Sequence, residues 1–200
     1  HVIVEDILKV DLVQLLGTHR EYKVVANLPY YITSPVLHHF MHAQQRPSRM
    51  VVMVQREVGE AIAASPPDMS VLAVSIQLNC IPSIVAHVPA DRFYPPPKVD
   101  SVVVLLEMRS EPLIQVGAPE HFMGLVRCGF STPRKTLRNS LSHGLKRAPA
   151  EVEVILAKAD ISPQKRPETL SIHEWERLYH TLQSSGKVEP LNPCCSLNGF

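Results

Sequence analysis

Apolar positions along this chain follow two patterns. Up to about residue 108 they gather in short unbroken runs: Val2-Ile3-Val4, Tyr22 to Ala26, Met50 to Val54, Ile84 to Val88 and Val99 to Leu106. Runs without polar alternation predict strands covered on both faces, the mark of a parallel sheet in an α/β domain. Helical signals separate them. Thr33-Ser34-Pro35 puts a hydroxyl cap and a first-turn proline ahead of Val36, Leu37, Phe40 and Met41, which predicts a helix to about Gln45. A second helix is expected after Gln55-Arg56-Glu57, running to Ala64 before Ser65-Pro66-Pro67-Asp68 breaks the chain. Ile7 to Leu16 fits a short helix or a loop, and Met69 to Leu78 reads as helix. The late strands flanking Arg92 to Lys98 predict an antiparallel hairpin at the sheet edge.

Beyond Ser110-Glu111-Pro112 the spacing turns helical, over Pro119 to Phe130, Arg134 to Leu145, Ala150 to Ala159 and Ile172 to Ser184. The expected organisation is an α/β domain over residues 1–111, a small all-α domain over 112–186, and a disordered tail over 187–200, where no periodicity remains.

Composition narrows the function classes. At 45% hydrophobic residues, a chain of 200 buries a real core. A net charge of +1 excludes a global basic field, so any nucleic-acid footprint must be local. With 18 prolines against 8 glycines, stiff turns are common and Gly-rich loops scarce. No apolar run has the length of a membrane span, and no C-x-x-C pair points to zinc, so neither a membrane partner nor a metal site is expected. The cysteine usage suits a reduced, cytoplasmic protein.

Candidate chemistry begins where the second apolar run stops, at Asn27-Leu28-Pro29-Tyr30-Tyr31. One reading is a strand followed by an Asn/Pro turn. The other is a catalytic turn at the end of a rigid strand, and this sequence resembles the motif of methyltransferases that modify exocyclic amines of nucleobases. The lone pair of such an amine is delocalised into the ring. Acceptors that hold the NH2 hydrogens out of conjugation localise it and stabilise the cationic nitrogen as it forms. Asn27 offers its side-chain carbonyl as one acceptor, and the backbone carbonyl of Leu28 or Pro29 offers the other. Tyr30 would stack on an extruded base, while Tyr31 is left to pack inward. No strong base is required, because the proton leaves only after nitrogen has become cationic.

Two further segments carry alternatives. Phe93-Tyr94-Pro95-Pro96-Pro97-Lys98-Val99-Asp100-Ser101 is either a proline-stiffened hairpin with one core phenylalanine or a loop holding Phe93 as a second stacking face. In the second case Lys98 would contact phosphate, and Asp100 and Ser101 would pin the loop to the next strand. From Arg127 to Leu141, Arg127, Arg134, Lys135 and Arg138 concentrate positive charge. Helical spacing puts Arg134, Arg138 and Asn139 near one face, with Thr136, Asn139 and Ser140 as further phosphate or ribose donors. This is either a solvated helix face or a surface for an RNA backbone, which Arg56 and Arg92 would extend.

These segments together resemble the rRNA adenine N6-dimethyltransferase family, the bacterial enzymes that dimethylate two neighbouring adenosines near the end of small-subunit rRNA. The matching pieces are Asn27 to Tyr30, Gln55-Arg56-Glu57-Val58, Phe93 with Pro95 to Ser101, and Arg134-Lys135-Thr136-Leu137-Arg138-Asn139-Ser140-Leu141. Pro167-Glu168-Thr169-Leu170-Ser171 resembles the start of the family's closing helix. Macrolide-resistance methyltransferases share the first motif and match the proline loop and the basic segment less well.

The resemblance implies a Rossmann-like class I methyltransferase domain followed by a helical RNA-binding domain, with S-adenosylmethionine as cofactor. By position it implies that Asp6 accepts from the cofactor's adenine amino group and that Asn27 stands between cofactor and target amine. Tyr30 and Phe93 become the two rings around the target base, and Lys98, Arg134, Lys135 and Arg138 the RNA contacts. The partner implied is small-subunit rRNA in a pre-30S particle, bound by a monomer in the cytoplasm. One departure stands out. The family's Gly-rich cofactor loop lies upstream of the residue matched by Asp6, and no G-x-G occurs in this chain. The chain is therefore expected to be the C-terminal two thirds or so of such an enzyme, truncated at its N-terminus. The alternative class is a non-enzymatic relative, an RNA- or DNA-binding ribosome-assembly or transcription factor on the same fold.

Overall fold

A computed structural model describes residues 1–19, 21–132 and 134–184. The described chain divides into two compact units, the first formed by His1–Ala63 with Asn79–Pro112, the second by Ala64–Leu78 with residues 113–184.

The first unit is built on a four-stranded sheet. Its elements in chain order are α1 (Leu12–Leu16), β1 (Lys23–Asn27), α2 (Thr33–Met41), β2 (Arg49–Gln55), α3 (Arg56–Ala63), then β3 (Cys80–Val88) and β4 (Ser101–Met108). Strand order is β1-β2-β4-β3. β1 runs parallel to β2, as a strand–helix–strand crossover requires, with Asn27 level with Met53. β4 is antiparallel to both its neighbours, so the expected hairpin inserts β4 beside β2 and leaves β3 on the edge.

The sheet is not covered equally on its two faces, as the apolar runs had suggested. Met50, Val52 and Val54 of β2 and Val102, Val104 and Leu106 of β4 are fully buried, whereas Val51, Met53, Val103 and Leu105 on the opposite face are half-buried. α3 packs closely on the buried face at Gly59, where an added Cβ would lie 2.2 Å from Val102 Cγ2. Val2-Ile3-Val4 is irregular and exposed rather than a strand. A strand needs a hydrogen-bonding neighbour, and β1 pairs only with β2. The chain turns instead at Asp6, whose carbonyl accepts from Lys9 N–H at 2.8 Å.

The second unit is helical: α4 (Val71–Gln77), α5 (Pro119–Gly129), α6 (Leu137–Leu145), α7 (Pro149–Lys158) and α8 (Ile172–Ser184). Trp175 is fully buried at its centre, against Gly129, where a Cβ would stand 2.3 Å from the indole. The division differs from the expected 1–111 and 112–186 at one segment. α4, capped by the Ser70 hydroxyl accepting from Ala73 N–H, sends Met69, Ala73, Val74 and Leu78 into the core that holds Phe122, Leu125 and Trp175. The backbone follows, with Met69 N–H donating to Glu168 O and Leu113 N–H to Leu78 O. The expected tail 187–200 lies outside the described residues.

Candidate functional site

β1 ends at Asn27, whose side chain is exposed. The next residue turns the chain back toward the sheet: Leu28 is buried, and its N–H donates to Met53 O of β2 at 3.3 Å. Pro29 then opens a single helical turn over Tyr30–Ile32, and its carbonyl accepts from Ile32 N–H at 3.1 Å. Of the two backbone acceptors that the sequence left open, the Pro29 carbonyl is thus already engaged within the turn. Tyr30 is 37% exposed and Tyr31 83%, so Tyr31 does not pack inward. It follows the buried Leu28 on a turn too tight to bring both rings to the sheet.

The Tyr30 hydroxyl reaches the start of β4, 3.1 Å from Ser101 Oγ. One residue earlier, Asp100 holds the proline loop. Its Oδ1 accepts from Ala90 N–H at 3.1 Å, its Oδ2 lies 3.2 Å from the Arg56 guanidinium, and its carbonyl accepts from Arg56 N–H at 3.0 Å. Phe93, half-buried, is fixed in the same turn by its N–H donating to Ala90 O. The two ring-bearing segments are therefore anchored on adjacent residues, Asp100 and Ser101. Tyr94 beside Phe93 is fully exposed, as is Lys98 for the most part.

Arg56 does not extend a basic patch, because it is paired with Asp100 and lies 4.0 Å from Glu60. Sequence reading gave Asp100 and Ser101 a loop-pinning role without finding their partners. A serine at the start of an apolar run beside a proline loop was the signal available, and it could not identify Tyr30.

Asp6 does not end a strand. Its Oδ1 accepts from Leu8 N–H at 3.1 Å, and its Oδ2 lies 3.7 Å from Lys9 Nζ with the side chain half-exposed. A cleft of about 430 Å³ runs between Val10 to Val13 and His39 to Gln44, and none of the candidate residues lines it. Among the described residues no group of His, Cys, Asp and Glu is placed to hold a metal ion, and no helix is long and apolar enough to cross a membrane.

The basic segment belongs to the second unit, and its geometry departs from the expected helix over Arg134 to Leu145. α6 begins only after Thr136, because the carbonyls of Lys165 and Pro163 take the N–H groups of Leu137 and Arg138. Before it, Lys135 N–H donates to Thr132 O, and Arg134 has a positive φ of 71°. Arg134 is therefore on a turn and shares no helix face with Arg138. Both Arg134 and Lys135 are exposed, whereas Arg138 is bound to Glu153 at 2.6 Å. Ser140 is fully buried and accepts from the Thr132 hydroxyl at 2.8 Å, so it is a core residue and no ribose donor. Asn139 remains exposed, its Oδ1 3.3 Å from Arg138 Nε.

The model of the family described as ribosomal RNA adenine dimethylase matches residues 1–184. Among curated relatives, the ribosomal RNA small subunit methyltransferase A of Dehalococcoides mccartyi strain 195 is 45% identical over 177 residues, covering 88% of this chain and 61% of that protein. The enzyme of the same name from Enterococcus faecalis is 38% identical over 196 residues, covering 94% and 66%. Among solved structures, a dimethyladenosine transferase from Plasmodium falciparum aligns with a TM-score of 0.69 at 25% identity, over 82% of this chain and 67% of that one. The 23S rRNA methyltransferase ErmE, at 24% identity, has a TM-score of 0.66 over 89% and 70%. This chain thus spans 61% to 66% of the length of these curated relatives.

Proposed function

The chain belongs to the ribosomal RNA adenine dimethylase family, and from that premise we propose that it forms the target-base and RNA-binding portion of an rRNA adenine N6,N6-dimethyltransferase. The methyl groups would come from S-adenosylmethionine and go to adenosines of small-subunit rRNA in a pre-30S particle, in the cytoplasm, with the protein acting as a monomer. One observation carries the reading. An exposed amide at a strand end is followed by a tyrosine tied to Ser101, while the loop bearing Phe93 is tied to the adjacent Asp100. That arrangement offers hydrogen-bond acceptors and two aromatic faces from rigid supports.

Asn27 Oδ1 and the Leu28 carbonyl would accept the two amine hydrogens and turn the nitrogen lone pair toward an incoming methyl group. Held in this way, the amine would present its lone pair away from the two acceptors, and its proton would pass to water once nitrogen has become cationic. In a second round the monomethylated amine would keep one N–H, which only one of these two acceptors would hold. Tyr30 and Phe93 would hold the flipped base by stacking. Lys98 in the first unit, and Arg134 and Lys135 in the second, would meet phosphates, with a smaller share for Arg138 because Glu153 already holds it.

The residues present fit part of the cofactor. S-adenosylmethionine supplies, when bound, an electrophilic methyl group on positively charged sulfur. Asp6, with its carboxylate half-exposed, suits its adenine amino group, and the exposed Asn27 amide would face the target amine. A chain without a G-x-G turn offers no matching cradle for the remainder.

The test is transfer of labelled methyl groups to small ribosomal subunits prepared without the modification. It compares this chain with the chain extended to the relatives' length. Transfer to N6 of adenosine by the extended protein is expected. Tight RNA binding with no transfer would instead make it a non-enzymatic RNA-binding relative.

A further inference from the structure

The geometry points to Ser101 as a positioning residue that sets the plane of the Tyr30 ring, an inference resting on the reading of Tyr30 as a base-stacking residue. The two hydroxyls are 3.1 Å apart across 71 residues of sequence. Ser101 is a fixed point. It is 1% exposed at the first position of β4, level with Gln55 of β2 on one side and Val88 of β3 on the other. Tyr30, by contrast, is 37% exposed and sits in a single helical turn outside the sheet.

A tyrosine attached only at Cβ rotates about two torsions, and its ring sweeps a range of planes. Holding the phenol oxygen at the far end removes most of that freedom and leaves one face presented outward. β2 lies between β1 and β4, so the ring spans the end of β2 to reach its anchor. Stacking depends on ring plane as well as on ring area. A ring already in its binding plane loses less freedom when a base arrives. Ser101 would therefore act on the base through Tyr30, touching neither base nor cofactor. Asp100, one residue earlier, holds the backbone turn that carries Phe93 by accepting from Ala90 N–H.

The test is steady-state methyl transfer to unmethylated small subunits by the protein at the relatives' full length, with S101A, Y30F, the double variant and S101T. S101A and Y30F should each lower kcat/KM for the RNA by about fivefold, the effect of one lost hydrogen bond. KM for S-adenosylmethionine should stay unchanged, and the double variant should be no worse than either single. S101T, which keeps the hydroxyl, should recover most of the loss. Y30F is made from the exposed side, so it keeps the test decisive even if S101A folds poorly. Effects of the singles that multiply in the double variant, or a parallel rise in KM for cofactor, would make Ser101 a structural residue only. An active wild type matched by S101A and Y30F would overturn this inference alone. A wild type that transfers no methyl group would overturn the proposed function itself.

Discussion

An Nη of Arg138 lies 2.6 Å from a carboxylate oxygen of Glu153, across the gap between α6 and α7. The sequence places Arg138 among the cations of an RNA-binding segment, yet its charge is already partnered. Both side chains are about a third or more exposed, so the pair is worth at most about 1 kcal/mol. Its larger effect is to reduce what Arg138 can give to a phosphate. Replacing Arg134 and Lys135 together with alanine should lower the salt slope of RNA binding by about two, one for each phosphate contact. Arg138→Ala should change that slope less and cost up to about 1 kcal/mol of stability. Binding isotherms on a small-subunit rRNA fragment at several salt concentrations decide it. An unchanged slope in the double variant would return Arg134 and Lys135 to an ordinary solvated surface.

Asn27→Ala, in the protein at its relatives' length, should lower turnover by roughly 10²–10³, the scale for losing one preorganised transition-state partner. Cofactor affinity should hardly change. Asn27→Asp should be milder, because a carboxylate keeps an acceptor oxygen. Single-turnover kinetics give the order, and near-full activity in Asn27→Ala would make Asn27 only a turn residue.

Glu174 closes the N-terminus of α8 as a capping box. Its carboxylate accepts from Ser171 N–H at 2.9 Å and from Lys165 Nζ at 2.5 Å, while Ser171 Oγ accepts from Glu174 N–H at 3.2 Å. Burial pushes the Glu174 pKa up, but the bonds from Lys165 and Ser171 outweigh it and hold the group below its ordinary value of 4.5. A depressed folded-state pKa gives stability that is complete above the unfolded value and lost as pH falls through the folded one. Glu174→Gln should therefore cost about 1 kcal/mol at pH 7. The difference from wild type should shrink below about pH 4.5. Urea midpoints measured from pH 7 to pH 3.5 test this, and a pH-independent difference would remove the carboxylate from the account.

Gly59→Ala reverses the usual helix rule. A glycine inside a helix ordinarily gains up to about 1 kcal/mol on becoming alanine. Here the new Cβ would stand 2.2 Å from Val102 Cγ2 and 3.1 Å from Val104 Cγ2, both fully buried side chains of β4. The expected result is a loss of about 1–3 kcal/mol from overpacking. A raised denaturation midpoint would show that α3 moves off the sheet more readily than its packing implies.

Local chemistry was legible in the sequence by itself. The Thr33-Ser34-Pro35 signal places the start of α2 correctly but not its cap: Thr33 lies inside the helix, and the N-cap is Ile32, which makes no side-chain bond. The Ser65-to-Asp68 break and the proline at the head of α5 each act within a few residues, so reading them needs no partner. The end of β1 at Asn27 and the resemblance that points to base methylation belong to the same class.

What only the tertiary structure decided depends on segments far apart in the chain. α4 joins the helical unit because its apolar face meets Phe122 and Trp175, a choice invisible in a run that would bury equally well elsewhere. β4 sits between β2 and β3 because antiparallel pairing, not sequence order, completes the sheet. Arg134 leaves the helix because carbonyls from Lys165 and Pro163 set where α6 begins. Ser140 and Ser101 are both buried serines in matching motifs, yet one bonds Thr132 and the other Tyr30. A polar side chain acquires its role from the partner that satisfies it once water is excluded, and that partner is chosen by the fold.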